Sequence, residues 1–212
     1  MLADLHRRGH RAVAVDLPVD PDADAERCAE VVAAAARALP PPVTCVGHSV
    51  SGLLIPLVPE LAPIDELAFV CTPLPMPGVS LWEQVEREPE IFIRENLQPM
   101  QDAADPGAIA REHAIHTYYH DLSPPLAEWA VAQLRPPLPR LTGDPSPLRV
   151  WPDVRCRYIV GTNDRIVNPE WARREVPRRL GVTPIEIDSG HSPFLARPLE
   201  LVEALLMRES TS

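Results

Sequence analysis

Three residues of this 212-residue chain have the types and positions to do covalent chemistry together. Ser49 lies in Cys45-Val46-Gly47-His48-Ser49-Val50-Ser51-Gly52. Before it an apolar run, Val43 to Val46, reads as a short strand. After it Leu53-Leu54-Ile55-Pro56-Leu57-Val58 reads as the start of a helix. A serine at a tight strand-to-helix turn is presented to a reactant, and the turn needs small residues around it. Gly47 supplies one. Ser51 stands where glycine is usual, and it is small enough to be tolerated. Ser51 is the poorer nucleophile, because Leu53 would sit at its own crowded +2 position. A hydroxyl is a weak nucleophile at neutral pH. It needs a base to take its proton and a carboxylate to fix that base's tautomer and stabilise its charged form. The turn therefore predicts partners downstream, in the order Ser, acid, His. Asp164 follows the apolar run in Ile159-Val160-Gly161-Thr162-Asn163-Asp164, and His191 follows the last such run in Ile185-Glu186-Ile187-Asp188-Ser189-Gly190-His191.

Other assignments are weaker. Asp188 is too near His191 in sequence to approach its ring easily. Cys71-Thr72-Pro73, after another apolar run, offers no carboxylate. His48 adjoins the nucleophile but points away from it, as a packing and hydrogen-bonding residue. His6 and His10 read as surface residues. His113, His116 and His120 fall at i, i+3 and i+7, one face of a helix. That face could bind zinc, but Tyr118-Tyr119-His120-Asp121 reads as a helix end, and metal ligands need a supporting shell. No metal is expected.

Positioning three distant residues requires a scaffold. Strands are expected at Arg11–Val15, at Val43–Val46, over Asp65–Cys71 (DELAFVC), at Arg155–Val160 and at Thr183–Ile187. Helices alternate with them. One ends near Arg8 with Gly9 as its stop. One opens at Pro21-Asp22-Ala23-Asp24 and runs to about Leu39, where Pro40-Pro41-Pro42 stops it. Others cover Pro169–Leu180 and Pro198 to about Arg208. This alternation implies an α/β fold, a mostly parallel sheet with helices on both faces. Loops after parallel strands open on one edge, where ligands bind. Residues 73–153 differ. They hold many of the prolines, no strand, and helical patches at Ser80–Glu86, Pro106–His116 and Pro124–Leu134. They read as an inserted helical cap on a core made of 1–72 and 154–212. Its aromatics Trp82, Tyr118, Tyr119 and Trp129, with His48, are the candidate substrate contacts.

Composition narrows the chemistry. The formal charge is −10, which argues against nucleic acid as a partner. All 20 basic residues are Arg. Without lysine there is no Schiff base, no P-loop phosphate site and no lysine base. Neither G-x-G-x-x-G nor G-x-x-x-x-G-K is present, so no nucleotide cofactor is expected. There are 27 prolines where average usage gives roughly 11. The four cysteines form no C-x-x-C pair and suit buried free thiols. No apolar run is long enough to cross a membrane, and the first residues lack a signal-peptide core, so a cytoplasmic location is expected.

With those residues in place, the chain resembles the α/β-hydrolase superfamily, and within it the methylesterase and hydroxynitrile-lyase-like branch. The likeness covers nearly the whole length. It rests on GHRAVAVDLP at Gly9–Pro18, VGHSVSG at the nucleophile and YHDLSPPLAEWAVAQLRP in the cap. YIVGTNDRIVNPEW at the acid and GHSPFLARPLELVEALL at the histidine complete it. The cap and acid segments carry the likeness to the branch. It implies ester hydrolysis through an acyl-enzyme with no cofactor. Ser49 would attack, His191 would move the proton, Asp164 would orient His191, and the Val50 backbone N–H would be one oxyanion donor. The branch's plant lyases use a pocket lysine, which this chain lacks. The family also opens with a strand ending in His-Gly and a loop that supplies a second oxyanion N–H, and both are missing here. In the family's sheet that strand lies between the 11–15 strand and the 43–46 strand. The expectation is therefore that the two flanking strands close up or that an N-terminal piece is absent, the second being preferred.

The sequence thus supports a serine esterase acting on a small ester or related acyl compound. Its alternatives are a non-catalytic or weakly active ligand-binding homologue, and lactone or cyclisation chemistry in secondary metabolism. The cap is too irregular to carry an interface pattern, and no oligomeric state follows.

Overall fold

The structure, a computed structural model, describes residues 1–101, 111–135 and 138–207. The order of elements begins α1 (Leu2–Arg7), α2 (Ala25–Arg37) and β1 (Thr44–His48). Two 3-10 segments, Ser49–Leu53 and Ile55–Glu60, lead to β2 (Glu66–Val70). The stretch expected to form the cap follows with α3 (Leu81–Arg87), α4 (Arg94–Gln101), α5 (Arg111–Tyr118), α6 (Pro124–Ala132) and α7 (Pro139–Gly143). Then come β3 (Arg155–Gly161), α8 (Pro169–Leu180), β4 (Ile185–Ile187), α9 (Pro193–Ala196) and α10 (Pro198–Leu206). The first part of the helical patch expected at Pro106–His116, and the end of the one expected to reach Arg208, lie outside the described residues.

The strands pair in the order β1-β2-β3-β4, each pair parallel, with Val46 opposite Ala68, Phe69 opposite Tyr158 and Ile159 opposite Ile185. Successive side chains on a strand point to opposite faces. Leu67, Phe69, Tyr158 and Val160 accordingly pack into one core with Cys28, Ala29 and Ala33 of α2 and Trp171 of α8. Ala68, Val70 and Ile159 pack on the other face against Leu201, Ala204 and Leu205 of α10, with Met1 at its margin. Helices therefore cover both faces. The Asp24 side chain caps α2 by accepting from the Arg27 N–H at 2.9 Å. Asn168 caps α8, and Gly181, at φ 70°, ends it in the left-handed conformation. Between β2 and β3 the Arg157 guanidinium grips Glu66 at 2.9 Å and donates to the Ala204 carbonyl at 2.6 Å, tying the sheet to α10. Cys28, Cys45 and Cys71 are buried free thiols, and Cys156 is half-buried. Among the described residues no helix is long and apolar enough to cross a membrane.

Two expectations are corrected. The segment after Ser49 forms 3-10 turns rather than an α-helix. Pro56 and Pro59 remove backbone donors and crowd the carbonyl a turn back, which favours the tighter i to i+3 pattern. The strand expected at Arg11–Val15 is not a strand. Val13 is 56% exposed, so this stretch buries no continuous apolar face, and among the described residues its backbone makes no ladder. The two flanking segments have not closed up. β1 is an edge strand, with Val46 43% exposed.

Candidate active site

Ser49 follows β1 directly and takes φ 53°, in the left-handed region that non-glycine residues rarely occupy. Such strain is held in place by its surroundings. A Cβ on Gly47 would meet Ile55 Cδ1 at 3.0 Å and the Gly52 N at 3.1 Å. A Cβ on Gly52 would lie 1.8 Å from Thr72 Oγ1. Gly52, not Ser51, is thus the residue that lets the turn press against the end of β2. The sequence pattern, which stops at two residues past the serine, did not reveal this.

β3 and β4 bring the acid and the histidine to the same edge. The Asp164 Oδ1 accepts from the backbone N–H of Ile166 at 2.7 Å and of Val167 at 3.1 Å, which fixes the carboxylate's orientation. His191 Nδ1 lies 2.9 Å from Asp164 Oδ2 and 3.1 Å from Oδ1. A carboxylate accepts, so Nδ1 carries the proton and Nε2 is left as the acceptor. Nε2 lies 3.0 Å from Ser49 Oγ, positioned to accept the hydroxyl proton. Asp164 and His191 are 3% and 1% exposed, so the relay is screened from water on that side. The structure thus brings together the three residues singled out in the sequence.

Three groups beside the relay carry no charge. His48 donates from Nε2 to the His191 backbone carbonyl at 2.7 Å, and its ring lies 4.8 Å from the His191 ring and 4.9 Å from Phe194. Burial and the adjacent His191 push its pKa down to about 3, so His48 is an uncharged prop. Its ring thus packs and hydrogen-bonds against the segment that carries the base. Burial, reinforced by the Asp164 charge, pushes the Cys71 thiol well up, so Cys71 stands beside the acid as a thiol. Cys71 itself has φ 49°. Val50 is at the second position of its turn, where a backbone N–H has no partner within the helix, and it is 38% exposed.

Among the described cap aromatics, Tyr118 is the one whose ring approaches the relay, tilted by 38° and 5.4 Å from that of His191. Burial raises its hydroxyl pKa, so it is a neutral phenol. Tyr119 packs within the cap against Ala127 and Ala130. Trp82 and Trp129 are 37% and 54% exposed, and no ring contact of theirs reaches His191. They face solvent because the apolar sides of their helices are taken up by Leu81 and by Ala127 and Ala130. His113, His116 and His120 go to three separate partners: the Asn96 carbonyl, the Arg165 guanidinium and the Asn163 carbonyl. Among the described residues no three potential ligands converge on a metal position. A cleft of about 380 Å³ opens beside Asp164 and His120 and another of about 250 Å³ beside Leu53 and Arg140, and Ser49 lines neither.

A strained serine after β1 is thus met by an acid from the loop after β3 and a histidine from the loop after β4, on one edge of an α/β sheet. Residues 1–204 match the family described as "Alpha/beta hydrolase family". The chain belongs to that family. No protein of curated function matches it in sequence. Solved structures match it in fold. Polyneuridine aldehyde esterase is 22% identical, with a TM-score of 0.74 over 96% of this chain and 90% of that one. An extracellular alpha/beta-hydrolase from a Paenibacillus species, described as sharing structural and functional homology with tobacco salicylic acid binding protein 2, is 17% identical, with a TM-score of 0.77 over 97% of this chain and 90% of that one. A pyrethroid hydrolase from Sphingobium faniae JZ-2 is 21% identical, with a TM-score of 0.67 over 96% of this chain and 88% of that one. At these identities the likeness is one of fold.

Proposed function

We propose that this chain is a serine hydrolase that cleaves a small carboxylic ester through an acyl-enzyme. One observation carries the reading: the unbroken relay from Ser49 Oγ to His191 Nε2 at 3.0 Å and from His191 Nδ1 to Asp164 at 2.9 Å. Ser49 Oγ attacks the carbonyl carbon as its proton passes to Nε2. The buried Asp164 carboxylate stabilises the imidazolium that results. The carbonyl oxygen becomes an oxyanion and accepts from the Val50 N–H. The imidazolium then gives its proton to the departing alkoxide, which leaves as the alcohol. Water attacks the acyl group by the same route in reverse, and the carboxylic acid departs with Ser49 restored. His48, Cys71 and Tyr118 stay uncharged throughout, and Asp164, in direct contact with His191, supplies the stabilising charge. No cofactor takes part. Those structural neighbours named as an esterase and as hydrolases agree with the reaction class.

The test is incubation with a fluorophosphonate, read as intact mass, with Ser49→Ala as the control. The expected result is a single adduct that the variant loses. Absence of an adduct on folded protein would replace hydrolysis with ligand binding without turnover.

A further inference from the structure

The corner of the cap between α5 and α6 reaches the relay from behind. His120 donates from Nε2 to the Asn163 carbonyl at 3.0 Å, on the loop that carries the acid. The next residue, Asp121, accepts the Gly190 N–H on Oδ2 at 2.6 Å, on the loop that carries the histidine. Two consecutive cap residues therefore hold the two loops whose separation sets the His191–Asp164 hydrogen bond. The loops are also joined to each other: Asn163 N–H donates to the Ser189 carbonyl at 3.0 Å, and Thr162 N–H to the Ile187 carbonyl at 2.9 Å. Glycines allow the approach. A Cβ on Gly161 would lie 2.5 Å from the Gly190 carbonyl oxygen, and one on Gly190 would lie 2.7 Å from His120 Nε2 and 3.0 Å from Asp121 Oδ1.

Asp121 pays for this position. Its Oδ1 is buried without a hydrogen-bond partner, unlike any other described side-chain atom. Leaving a buried acceptor unmade opposes folding, so such an atom asks for an explanation. Gly190 immediately precedes His191, whose ring must satisfy Asp164 and Ser49 at once. An acceptor fixed on the Gly190 amide sets the direction in which the chain enters His191.

We propose that Asp121 is a positioning residue, which through the Gly190 amide holds the His191 ring in register with both Asp164 and Ser49. The cap is thereby part of the relay's support. The proposal rests on the serine-hydrolase reading for its rate effect and on geometry alone for its effect on His191.

Two readouts separate these. The first is the fluorophosphonate inactivation rate and, once an ester substrate is found, kcat against KM. Asp121→Leu removes the acceptor at similar size and is expected to lower kcat and the inactivation rate by about 10- to 100-fold with KM unchanged, the scale of a small misplacement of a reacting group. Asp121→Asn keeps an acceptor oxygen, and its rate is expected within about threefold of the parent, as a hydrogen bond retained. The second readout needs no turnover. In histidine-labelled protein, the His191 Nδ1–H proton is assigned by its absence in His191→Ala. It is expected to be sharp in the parent and in Asp121→Asn, and exchanged away in Asp121→Leu. A sharp, unshifted signal in Asp121→Leu would overturn the proposal. A signal that responds in protein inert to the fluorophosphonate would sustain the positioning role and refute the hydrolase reading. If Asp121→Leu does not fold, Asp121→Ala, which removes the acceptor without added bulk, is read in the same way.

Discussion

The two halves of the site are held in opposite ways. Asp164 and His191 sit on loops after β3 and β4, pinned by backbone donors, by each other and by the cap corner, and they are 3% and 1% exposed. Ser49 follows β1, which among the described residues pairs with a strand on one side only, and Val46 is 43% exposed. The base and acid are thus organised by burial, whereas the nucleophile is organised by a strained turn. The turn keeps its shape because Gly47 and Gly52 are packed against Ile55 and Thr72. The sensitivity of the two halves to substitution should differ accordingly.

The largest effect is expected on the buried half. In Asp164→Asn the side-chain oxygen can still accept from Ile166 and Val167, so the loop survives. The amide NH₂ then faces His191 Nδ1, which must become an acceptor, and Nε2 takes the proton. That tautomer cannot accept from Ser49. Acylation should fall on the order of 10⁴-fold with the melting temperature little changed. Measurement of the fluorophosphonate rate and of thermal unfolding on the same sample checks this. A loss of folding together with activity would mean that the loop, not the tautomer, depends on the charge.

The next effect belongs to the boundary between the halves. His48 is neutral in the folded protein, with a pKa near 3, against the ordinary value of 6.5 that it regains on unfolding. Between those values the unfolded chain binds the extra proton. Stability is therefore fully present above the unfolded value and falls as the pH drops, by at most about 1.4 kcal/mol per pH unit. His48→Asn keeps a donor for the His191 carbonyl and removes the titration. Urea midpoints from pH 7 to pH 4 should decline less steeply in the variant. Parallel slopes would mean that His48 is protonated in the folded state.

Most of this arrangement is legible in the sequence because it depends on local signals. Apolar runs mark β1 to β4, and each of the three relay residues lies just beyond one of them. What escapes is whatever depends on contacts between distant segments. The Asp121–Gly190 bond joins residues 69 apart, and nothing near Asp121 marks it as more than a helix end. Gly52 falls outside the familiar spacing, and its need is set by Thr72. Arg11–Val15 has the apolar content of a strand, but a strand exists only with a partner, and local pattern does not report pairing.

The smallest effect is expected at the exposed half. Val46 on β1 and Val160 on β3 are both strand valines, at 43% and 1% exposure. Replacing each by threonine keeps the shape and adds a hydroxyl. At Val160 the hydroxyl enters the core beside Tyr158 and Trp171, where burying a polar group should cost about 1–3 kcal/mol. At Val46 it meets water, and the change should stay within about 0.5 kcal/mol. Urea unfolding of the two variants gives both numbers. The informative failure is a Val46→Thr cost as large as that of Val160→Thr. It would mean that this face of β1 is covered in solution and that the nucleophile's strand is supported on both sides. The contrast between a buried relay and an exposed nucleophile strand would then have to be given up.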